Sequence, residues 1–399
     1  MGMHKDQGAG SRADCHDRPI LSYGHRVRIA HVTDCYLPRT GGIETQVRAL
    51  AMQQVAAGHD VRILTATPGT HIRSGVEVID GIPISRITAR LPGDLPIHPR
   101  TRHHVVQALR EHPVDIVHVH VGVISPFAWG AIRAARELSI PTLVTVHGIW
   151  GPIASPGYRL SDVVSKWSKW GVQVSAVSDI AASKIAAALP GLQDVLILPN
   201  GIDPASWKLP ARNHDAATLN LVTVMRLAPR KRTLPLLKII QAAQDRIGTN
   251  PHLLLRLVGD GPERSRAESF VRQHDLGSLV SFTGRLDHGG IREVFAMSDV
   301  YVQPSIKESF GLAALEARSS GLPVIARSQT GTTQFIRDRC EGLLAATDSG
   351  MADAIATLAK DRALLAQLTE HNRENAPEQS WPRVLIRVDE AYARTLHLD

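Results

Sequence analysis

Two carboxylates eight residues apart mark the segment KESFGLAALEARSSGLPVIA, residues 307–326. Glu308 follows DVYVQPS, an apolar stretch typical of a strand, and Glu316 falls within the helix predicted after it. Eight residues of helix rise about 12 Å, whereas the paired acids of a double-displacement glycosidase lie about 5 Å apart. We therefore expect the two acids to contact different parts of one long ligand.

The start of that predicted helix is a candidate anion site. The residues predicted to enter it are Ser309, Phe310, Gly311 and Leu312. Backbone N–H groups in the first turn of a helix have no partner within the helix, so they can hold phosphate oxygens. Glu316 lies about one turn further on, where its carboxylate could accept hydrogen bonds from the two hydroxyls of a ribose.

Two basic residues follow another predicted strand. Arg226 ends the strand TLNLVTVMRL, and Lys231 comes five residues later within APRKR. The planar fork of donors on arginine and the compact charge of lysine together suit a diphosphate. The sequence contains no Asp-x-Asp motif. We therefore expect these cations, rather than a divalent metal ion, to stabilise the ligand's charge.

A second set of candidates lies in the first half of the chain. Gly41 and Gly42 open a helix after the first predicted strand, where the backbone can approach an anion closely. Strand alternation places His118 and His120 on one face, and His147 ends the next strand. These imidazoles could hydrogen-bond a sugar hydroxyl or move a proton, or they could be core histidines bonded to the backbone. A zinc site would need three supported ligands, and we predict none.

The elements that must position these residues are short apolar strands alternating with helices, in two series. This pattern predicts an α/β protein with two Rossmann-like, doubly wound domains that face a central cleft, where the carboxyl ends of parallel strands bind ligands. The predicted boundaries are residues 1–24 for a disordered leader, 25–205 and 206–378 for the two domains, and 379–399 for a helix crossing back to the first domain.

Composition narrows the classes of protein. The chain has 399 residues, enough for two domains, and its 43% hydrophobic and 21% charged residues are typical of a globular protein without a membrane span. A net charge of +7 allows an anionic membrane, a phosphorylated substrate or no anionic partner at all. The three cysteines are scattered, which fits a reducing cytoplasm.

Eight motifs in order resemble those of the family 4 glycosyltransferases (GT4), the retaining group with the GT-B fold. They are LPRTGGIE, DIVHVH, TVHG, SAVSD, LPNGID, VMRLAPRKR, VGDGPE and KESFGLAALEA, and the resemblance spans roughly residues 25–395. It implies transfer of a hexose-type sugar, with retention, from a nucleotide-diphosphate sugar to a hydroxyl acceptor. It implies no cofactor, and the departing phosphate would take the acceptor's proton.

The resemblance also implies roles for single residues. Arg226 and Lys231 match residues that bind the diphosphate, and Glu316 matches the acid that holds the ribose. Glu308 matches the acid that contacts the donor sugar, and His120 matches a histidine near that sugar. All of these except Glu316 are the predicted catalytic residues. The other predicted donor-binding residues are Gly41, Gly42, His147, Asn200, Ser309, Phe310, Gly311 and Leu312. By the same resemblance, the first domain binds the acceptor and the second binds the nucleotide sugar.

One residue and one three-residue segment depart from the family pattern. Arg232 stands where glycine usually follows the lysine, and we expect it to add charge near the diphosphate. Thr332, Thr333 and Gln334 replace the usual two glycines followed by Pro-Glu. Neither change removes a residue assigned to the chemistry.

The acceptor side of the first half suggests a membrane surface. Residues 100–112, RTRHHVVQALREH, predict a basic helix, and Trp150, Trp167 and Trp170 lie further along the chain. Basic residues with tryptophans suit an anionic membrane interface, although core tryptophans are the alternative. We predict a cytoplasmic enzyme, peripheral at the inner face of the membrane, with a lipid-linked acceptor. A glycan or a small-molecule acceptor stays open, and nucleic acid is not expected as a partner.

Three other classes of protein share parts of this pattern. One is a related GT-B enzyme, such as an epimerase or a phosphorylase, and another is a nucleotide-sugar-binding protein without transferase activity. An NAD-dependent Rossmann enzyme is disfavoured, because no Gly-x-Gly-x-x-Gly follows the first predicted strand.

Overall fold

The computed structural model describes residues 26–90, 95–151, 154–192, 194–211 and 217–396. The predicted leader, residues 1–24, lies outside the described residues.

The first domain is built on an eight-stranded sheet. Its strands are β1 (Arg28–Thr33), β2 (Asp60–Thr65), β3 (Gly75–Ile79), β4 (Ile82–Arg86), β5 (Ile116–Val121), β6 (Thr142–Val146), β7 (Gln173–Ala176) and β8 (Val195–Ile197). Their order in the sheet is β3-β4-β2-β1-β5-β6-β7-β8, and all neighbours are parallel except β3 and β4. Every residue of β5 is buried, because helices cover both faces of the sheet.

Six helices of this domain are described. They are α1 (Gly42–Ala56), α2 (Thr101–Glu111), α3 (Pro126–Glu137), α4 (Ala154–Ser165), α5 (Asp179–Ala188) and the single turn α6 (Pro204–Trp207). Two apolar clusters, one on each face of the sheet, form the core. Ser178 caps α5 by accepting a hydrogen bond from the backbone N–H of Ala181 at 3.3 Å.

The second domain has a six-stranded parallel sheet. Its strands are β9 (Thr218–Val224), β10 (His252–Val258), β11 (Val280–Gly284), β12 (Val300–Gln303), β13 (Val324–Arg327) and β14 (Gly342–Ala345), in the order β11-β10-β9-β12-β13-β14. Its helices are α7 (Thr233–Ile247), α8 (Arg264–Gln273), α9 (His288–Ala296), α10 (Leu312–Ser319), α11 (Asp348–Lys360) and α12 (Arg362–Glu374). The two sheets confirm the predicted fold of two doubly wound α/β domains.

The last helix, α13 (Trp381–Leu396), packs on the first domain. Val384, Val388 and Tyr392 are buried in the cluster that also contains the apolar face of α1. At its start, the backbone N–H of Trp381 donates to the carbonyl of Ile202 at 3.0 Å. The two segments in which the chain passes between the domains therefore lie side by side.

No helix among the described residues is both long enough and apolar enough to cross a bilayer.

Candidate active site

The candidate residues lie where each sheet reverses its strand order. In the first sheet β5 lies beside β1, and in the second sheet β12 lies beside β9, although neither pair is consecutive in sequence. Such reversals open a crevice at the carboxyl ends of the strands. His120 lies near the end of β5, Arg226 follows β9 and Glu308 follows β12.

Glu308 and Lys231 form an ion pair at the second crevice. The Nζ atom of Lys231 lies 2.6 Å from Oε2 of Glu308, and the amide of Gln303 donates to the same oxygen at 2.8 Å. Gln303 is itself held by the hydroxyl of Tyr301, which donates to its Oε1 at 3.2 Å. The carboxylate is 9% exposed, so its position is fixed before any ligand arrives.

Arg226 is exposed and makes no hydrogen bond or ion pair within the described part of the chain. Its guanidinium is therefore available to a ligand. Lys231 lies on a short 3-10 turn, Pro229–Lys231, that begins three residues later. The two cations thus follow the same strand, one paired with a carboxylate and one unpaired.

Glu316 has a different environment from Glu308. It is half-buried on α10, and its carboxylate has no hydrogen-bond partner among the described residues. Burial raises the pKa of Glu316 to about 7, so the carboxyl group is about half ionised near neutral pH. Burial first, and then both acids, raise the pKa of Tyr301, so the two carboxylates lie within electrostatic range of one phenol.

The helix α10 begins later than the sequence suggested. Its first residue is Leu312 and its N-cap is Gly311, whose φ of 96° lies in the left-handed region that favours glycine. Ser309 and Phe310 therefore belong to the preceding loop, and the Phe310 side chain is buried against Phe335 rather than lining the cleft. The free N–H groups of the helix begin at Leu312.

The segment that departs from the family pattern supports the Glu308 loop. The backbone N–H of Gly331 donates to the carbonyl of Glu308 at 2.8 Å. Thr332 is fully buried, and a Cβ added at Gly311 would lie 2.7 Å from its methyl group. Gln334 accepts a hydrogen bond from the backbone N–H of Asp179, in the other domain, at 3.2 Å. This segment thus braces the loop and contacts the first domain.

Arg232 is held by an acid of its own domain. Its guanidinium donates to both carboxylate oxygens of Asp348, at 2.8 and 2.7 Å, and Arg327 pairs with the same carboxylate. Because two arginines share one carboxylate, the group keeps a net positive charge, and the expected role of Arg232 near the diphosphate stays a prediction. The backbone of Arg232 has φ 64° and ψ 45°, a left-handed conformation that explains why glycine suits this position.

We expect Arg232→Gly to be more stable than Arg232→Ala. Both variants lose the fork to Asp348, but only alanine keeps the cost of a left-handed backbone, about 1 kcal/mol. Urea denaturation of the two variants measures the difference in the free energy of unfolding. An alanine variant as stable as the glycine variant would contradict this account.

Gly41 and Gly42 face the other domain from the start of α1. A Cβ added at Gly42 would lie 3.5 Å from Leu312, the first residue of α10. A Cβ at Gly41 would collide with the carboxylate of Glu44, at 2.5 Å from Oε2. The starts of α1 and α10 therefore approach each other across the cleft, each with free backbone N–H groups.

Direct hydrogen bonds join the two domains beside the cleft. The hydroxyl of Ser178 donates to the carbonyl of Ser309 at 2.6 Å. Within the first domain, near the crossing of the chain, the side-chain amide of Gln46 makes two hydrogen bonds with the backbone of Gly201, at 3.0 and 2.9 Å. A Cβ at Gly201 would lie 2.4 Å from the ring of Trp381, so only glycine fits there.

The predicted histidines are brought together, but His120 is enclosed. Its Nδ1 lies 3.0 Å from Nε2 of His147, and its Nε2 lies 2.9 Å from Nδ1 of His31. Both ring nitrogens are thus engaged by other imidazoles. His147 is half-buried, and it lines the same small cavity as Asn200. Burial lowers the pKa of His147 to about 4 and holds that of His120 well below its usual value, so both rings are neutral at pH 7.

Two groups of side chains among the described residues bring three possible metal ligands within 4.8 Å. The first is His31, His118 and His120, whose ring nitrogens already bond to neighbouring side chains. The second is Cys340, Glu341 and His371, where the carboxylate already pairs with an arginine at 2.5 Å. Neither group has the unpartnered donors that would fit a resident metal ion.

Two of the three predicted interface tryptophans lie in the core. Trp150 and Trp167 are each 2% exposed and lie in the core of the first domain. Trp170 is partly buried, and the guanidinium of Arg136 lies 4.9 Å from its ring centroid. Periodicity alone did not reveal this, because the residues fall in short irregular elements. The alternative of core tryptophans therefore holds for Trp150 and Trp167, which are too buried to contact a membrane.

Sequence reasoning missed four residues that hold the candidate site. They are Gln303, His31, Gln54 and Tyr392. Strand alternation offered a signal for two of them, because Gln303 ends β12 and His31 pairs with His118 across the β1–β5 register. The other two are polar residues on apolar helix faces, and only the tertiary structure brings them to the histidines.

Comparison with known proteins connects this geometry to a family. The model described as "Glycosyltransferase Family 4" matches residues 40–206, and the model described as "Glycosyl transferases group 1" matches residues 210–376. The matches meet at the junction between the two domains, so each model corresponds to one of the two sheets.

Similar proteins cover nearly the whole chain. The gpi3 subunit of the phosphatidylinositol N-acetylglucosaminyltransferase of Schizosaccharomyces pombe is 24% identical over 90% of this chain and 79% of its own. A GDP-mannose-dependent alpha-mannosyltransferase of Mycobacterium tuberculosis is 26% identical over 90% and 94%. The solved structure of Anabaena HepE with UDP and glucose superposes with a TM-score of 0.70, at 18% identity, over 92% and 99%. The chain belongs to glycosyltransferase family 4, and it is a glycosyltransferase of the GT-B fold.

Proposed function

We propose that the protein is a retaining glycosyltransferase that moves a hexose-type sugar from a nucleotide-diphosphate sugar to a hydroxyl acceptor. The observation that carries this proposal is the Lys231–Glu308 pair, fixed by Gln303 at the crevice of the second sheet. The pair holds an ammonium group beside a carboxylate where a diphosphate and its sugar would lie together. The names of the relatives favour such donors, since they include a GDP-mannose-dependent enzyme and a protein solved with UDP and glucose.

The donor would lie with its diphosphate between the starts of α1 and α10. Lys231 and Arg226 supply two positive charges, and the free N–H groups that begin at Leu312 supply oriented donors. On binding, Lys231 would exchange part of its contact with Glu308 for a phosphate oxygen. Glu308 would then be free to accept a hydrogen bond from a hydroxyl of the sugar.

Transfer would proceed without a metal ion or another cofactor. The sequence has no Asp-x-Asp motif, and the charge of the leaving diphosphate would be stabilised by Arg226, Lys231 and helix α10. A leaving phosphate that accepts the acceptor's proton on the same face of the sugar would give retention. This route fits a site in which both nitrogens of His120 are already engaged.

We expect one nucleotide diphosphate among UDP, GDP and ADP to raise the melting temperature clearly. Ligand that binds only the folded state stabilises by about 2.7 kcal/mol at a concentration of 100 times its Kd. A thermal-shift screen of these nucleotides and their sugars, with and without EDTA, measures the effect. A shift abolished by EDTA would overturn metal-free binding, and no shift with any nucleotide would overturn the proposed donor site.

The acceptor is proposed to be a lipid-linked or cell-envelope glycan reached at an anionic membrane surface, from the cytoplasmic side. The first domain exposes Arg102 and Arg110 on α2. It also exposes the aliphatic side chains of Ile124, Leu160 and Val163, at 86%, 66% and 68%. Exposed arginines with exposed aliphatic residues on one domain suit peripheral contact with anionic lipid.

We expect the double variant Arg102→Ala/Arg110→Ala to bind anionic vesicles about 30-fold more weakly. Each arginine near such a surface contributes about 1 kcal/mol. Sedimentation with phosphatidylglycerol vesicles measures the partition, with phosphatidylcholine vesicles as the neutral reference. The matched control, Arg266→Ala/Arg272→Ala, removes the same charge from exposed positions on α8 of the second domain. An equal loss in both double variants, or no binding by the wild-type protein, would contradict the membrane contact.

A further inference from the structure

Three imidazoles, two buried and one half-buried, form a continuous hydrogen-bonded chain in the first domain. We call His31, His120 and His147 the histidine chain. Nδ1 of His31 lies 2.9 Å from Nε2 of His120, and Nδ1 of His120 lies 3.0 Å from Nε2 of His147. Each ring therefore faces the next through the same pair of nitrogens, and the chain has a direction.

A side-chain amide lies at each end of the histidine chain. Oε1 of Gln54 lies 2.6 Å from Nε2 of His31, and the Asn200 side chain lines the same small cavity as His147. Gln54 lies inside α1 and is fully buried, whereas Asn200 is half-buried in the loop after β8. One end is therefore deep in the core and the other opens toward the cleft.

Counting hydrogens constrains this arrangement. The Gln54–His31 contact and the two ring-to-ring contacts are three hydrogen bonds, and both ring nitrogens of His31 and of His120 take part in them. A neutral imidazole has one N–H, so a ring that donates through one nitrogen accepts through the other. The orientation of the Gln54 amide is therefore passed from ring to ring and decides whether Nε2 of His147 donates or accepts.

The same count fixes the tautomers. If Gln54 accepts, the proton of every ring in the histidine chain lies on Nε2; if Gln54 donates, every proton lies on Nδ1. No mixed arrangement satisfies all three hydrogen bonds with neutral rings. Burial keeps the rings neutral, because it lowers the pKa of each of them.

Tyr392 extends this coupling to a fourth histidine. Its hydroxyl lies 3.0 Å from Nε2 of Gln54 and 2.8 Å from Nδ1 of His118. Because a phenol has one hydrogen, it accepts from one neighbour and donates to the other. His118 then takes the same tautomer as the histidine chain, with its Nε2 bonded to Thr145 at 2.7 Å. The end of α13 is thereby connected to the cleft.

We propose that Gln54 and Tyr392 are positioning residues, which set through the histidine chain the ring nitrogen of His147 that carries the proton. They thereby set whether Nδ1 of His147, the ring nitrogen that does not face His120, presents an N–H or a lone pair to a ligand. The inference rests on the proposed function in one respect, since the ligand in question is the donor sugar. The cavity beside the chain measures only about 30 Å³, which is room for water but not for a sugar, so a sugar would reach Asn200 or His147 from the cleft.

Ring nitrogens of histidine report their protonation directly in long-range ¹H–¹⁵N correlation spectra. With ¹⁵N-histidine-labelled full-length protein at pH 7.5, we expect His31, His118, His120 and His147 to be neutral and to share one tautomer. Gln54→Leu should leave the histidine chain as a mixture of tautomers and raise KM for the nucleotide sugar about tenfold, with kcat little changed. Gln53→Leu is the matched control, since that neighbouring side chain is outside the network.

Tyr392→Phe tests the coupling without removing packing volume. It should uncouple the tautomer of His118 while the histidine chain keeps a common one. Different tautomers within the chain of the wild-type protein, an imidazolium or a metal-bound ring nitrogen would overturn the proposal, as would an unchanged tautomer and KM in Gln54→Leu. A common tautomer in a protein that transfers no sugar would contradict the proposed function alone.

Discussion

Replacing Lys231 with alanine is expected to lower kcat for sugar transfer by about 10²- to 10³-fold, since removing one group that stabilises developing charge has an effect of this order. The ammonium group lies 2.6 Å from Glu308 in the crevice of the second sheet. Charge builds up on the diphosphate as the sugar leaves, and the lysine is one of two side-chain cations proposed to oppose it. Steady-state kinetics with the nucleotide sugar found in the thermal-shift screen measures the change.

The matched control for this prediction is Arg230→Ala. Arg230 is exposed one residue before Lys231 on the same 3-10 turn, so its removal changes the charge of the loop by the same amount. We expect the control to keep nearly all activity. Wild-type kcat in Lys231→Ala, or an equal loss in both variants, would reject the assignment of Lys231 to the diphosphate.

Residues at strand ends were the most predictable part of the site. Glu308, Arg226 and His120 each lie at or just beyond the carboxyl end of a parallel strand, and strand positions are readable from apolar runs of four to eight residues. The alternation of His118 and His120 was equally readable, and their ring centroids lie 4.1 Å apart. The periodicity of a strand thus carries information about which side chains converge.

The partners of these residues were not predictable, because they come from distant parts of the chain. Arg232 was expected near the diphosphate, and its partner, Asp348, lies 116 residues away in the sequence. The hydroxyl of Tyr392 reaches Gln54 across 338 positions in the sequence. Side-chain type and local spacing show which charge and hydrogen bonds a residue can contribute. The partner that binds it depends on how the helices pack on the sheets.

The start of α10 shows a third limit. We expected the four residues from Ser309 to Leu312 to enter the helix, since they follow the loop that holds Glu308. The left-handed backbone of Gly311 instead turns the chain just before Leu312, and Thr332 fills the space beside it. Helix boundaries set by such a turn are decided by tertiary contacts as well as by local propensity.

Glu316 is expected to have the second large effect, which is on the affinity for the donor and on the pH dependence of that affinity. Burial raises its pKa to about 7, so the side chain is mostly neutral at pH 6 and mostly ionised at pH 8. Two ribose hydroxyls would donate to the ionised carboxylate, so donor binding favours the ionised form. A tenfold change in the ionised fraction between these pH values should weaken binding about tenfold as the pH falls from 8 to 6. The binding partner should be the intact nucleotide sugar, because a terminal phosphate itself titrates at about pH 6.

The variant Glu316→Gln separates this effect from other titrations. A neutral amide offers one acceptor without charge, so we expect the donor Kd to rise roughly 10- to 100-fold at pH 8 and to become flat between pH 6 and 8. The stability of the free protein changes with pH in the opposite direction. The raised pKa means that ionising Glu316 costs stability as the pH rises toward 7, whereas donor binding gains over the same range. Calorimetric titrations with the donor at three pH values should therefore show a Kd that falls as the pH rises for the wild-type protein and a constant Kd for Glu316→Gln. A pH dependence retained in Glu316→Gln would place the ribose contact on another residue.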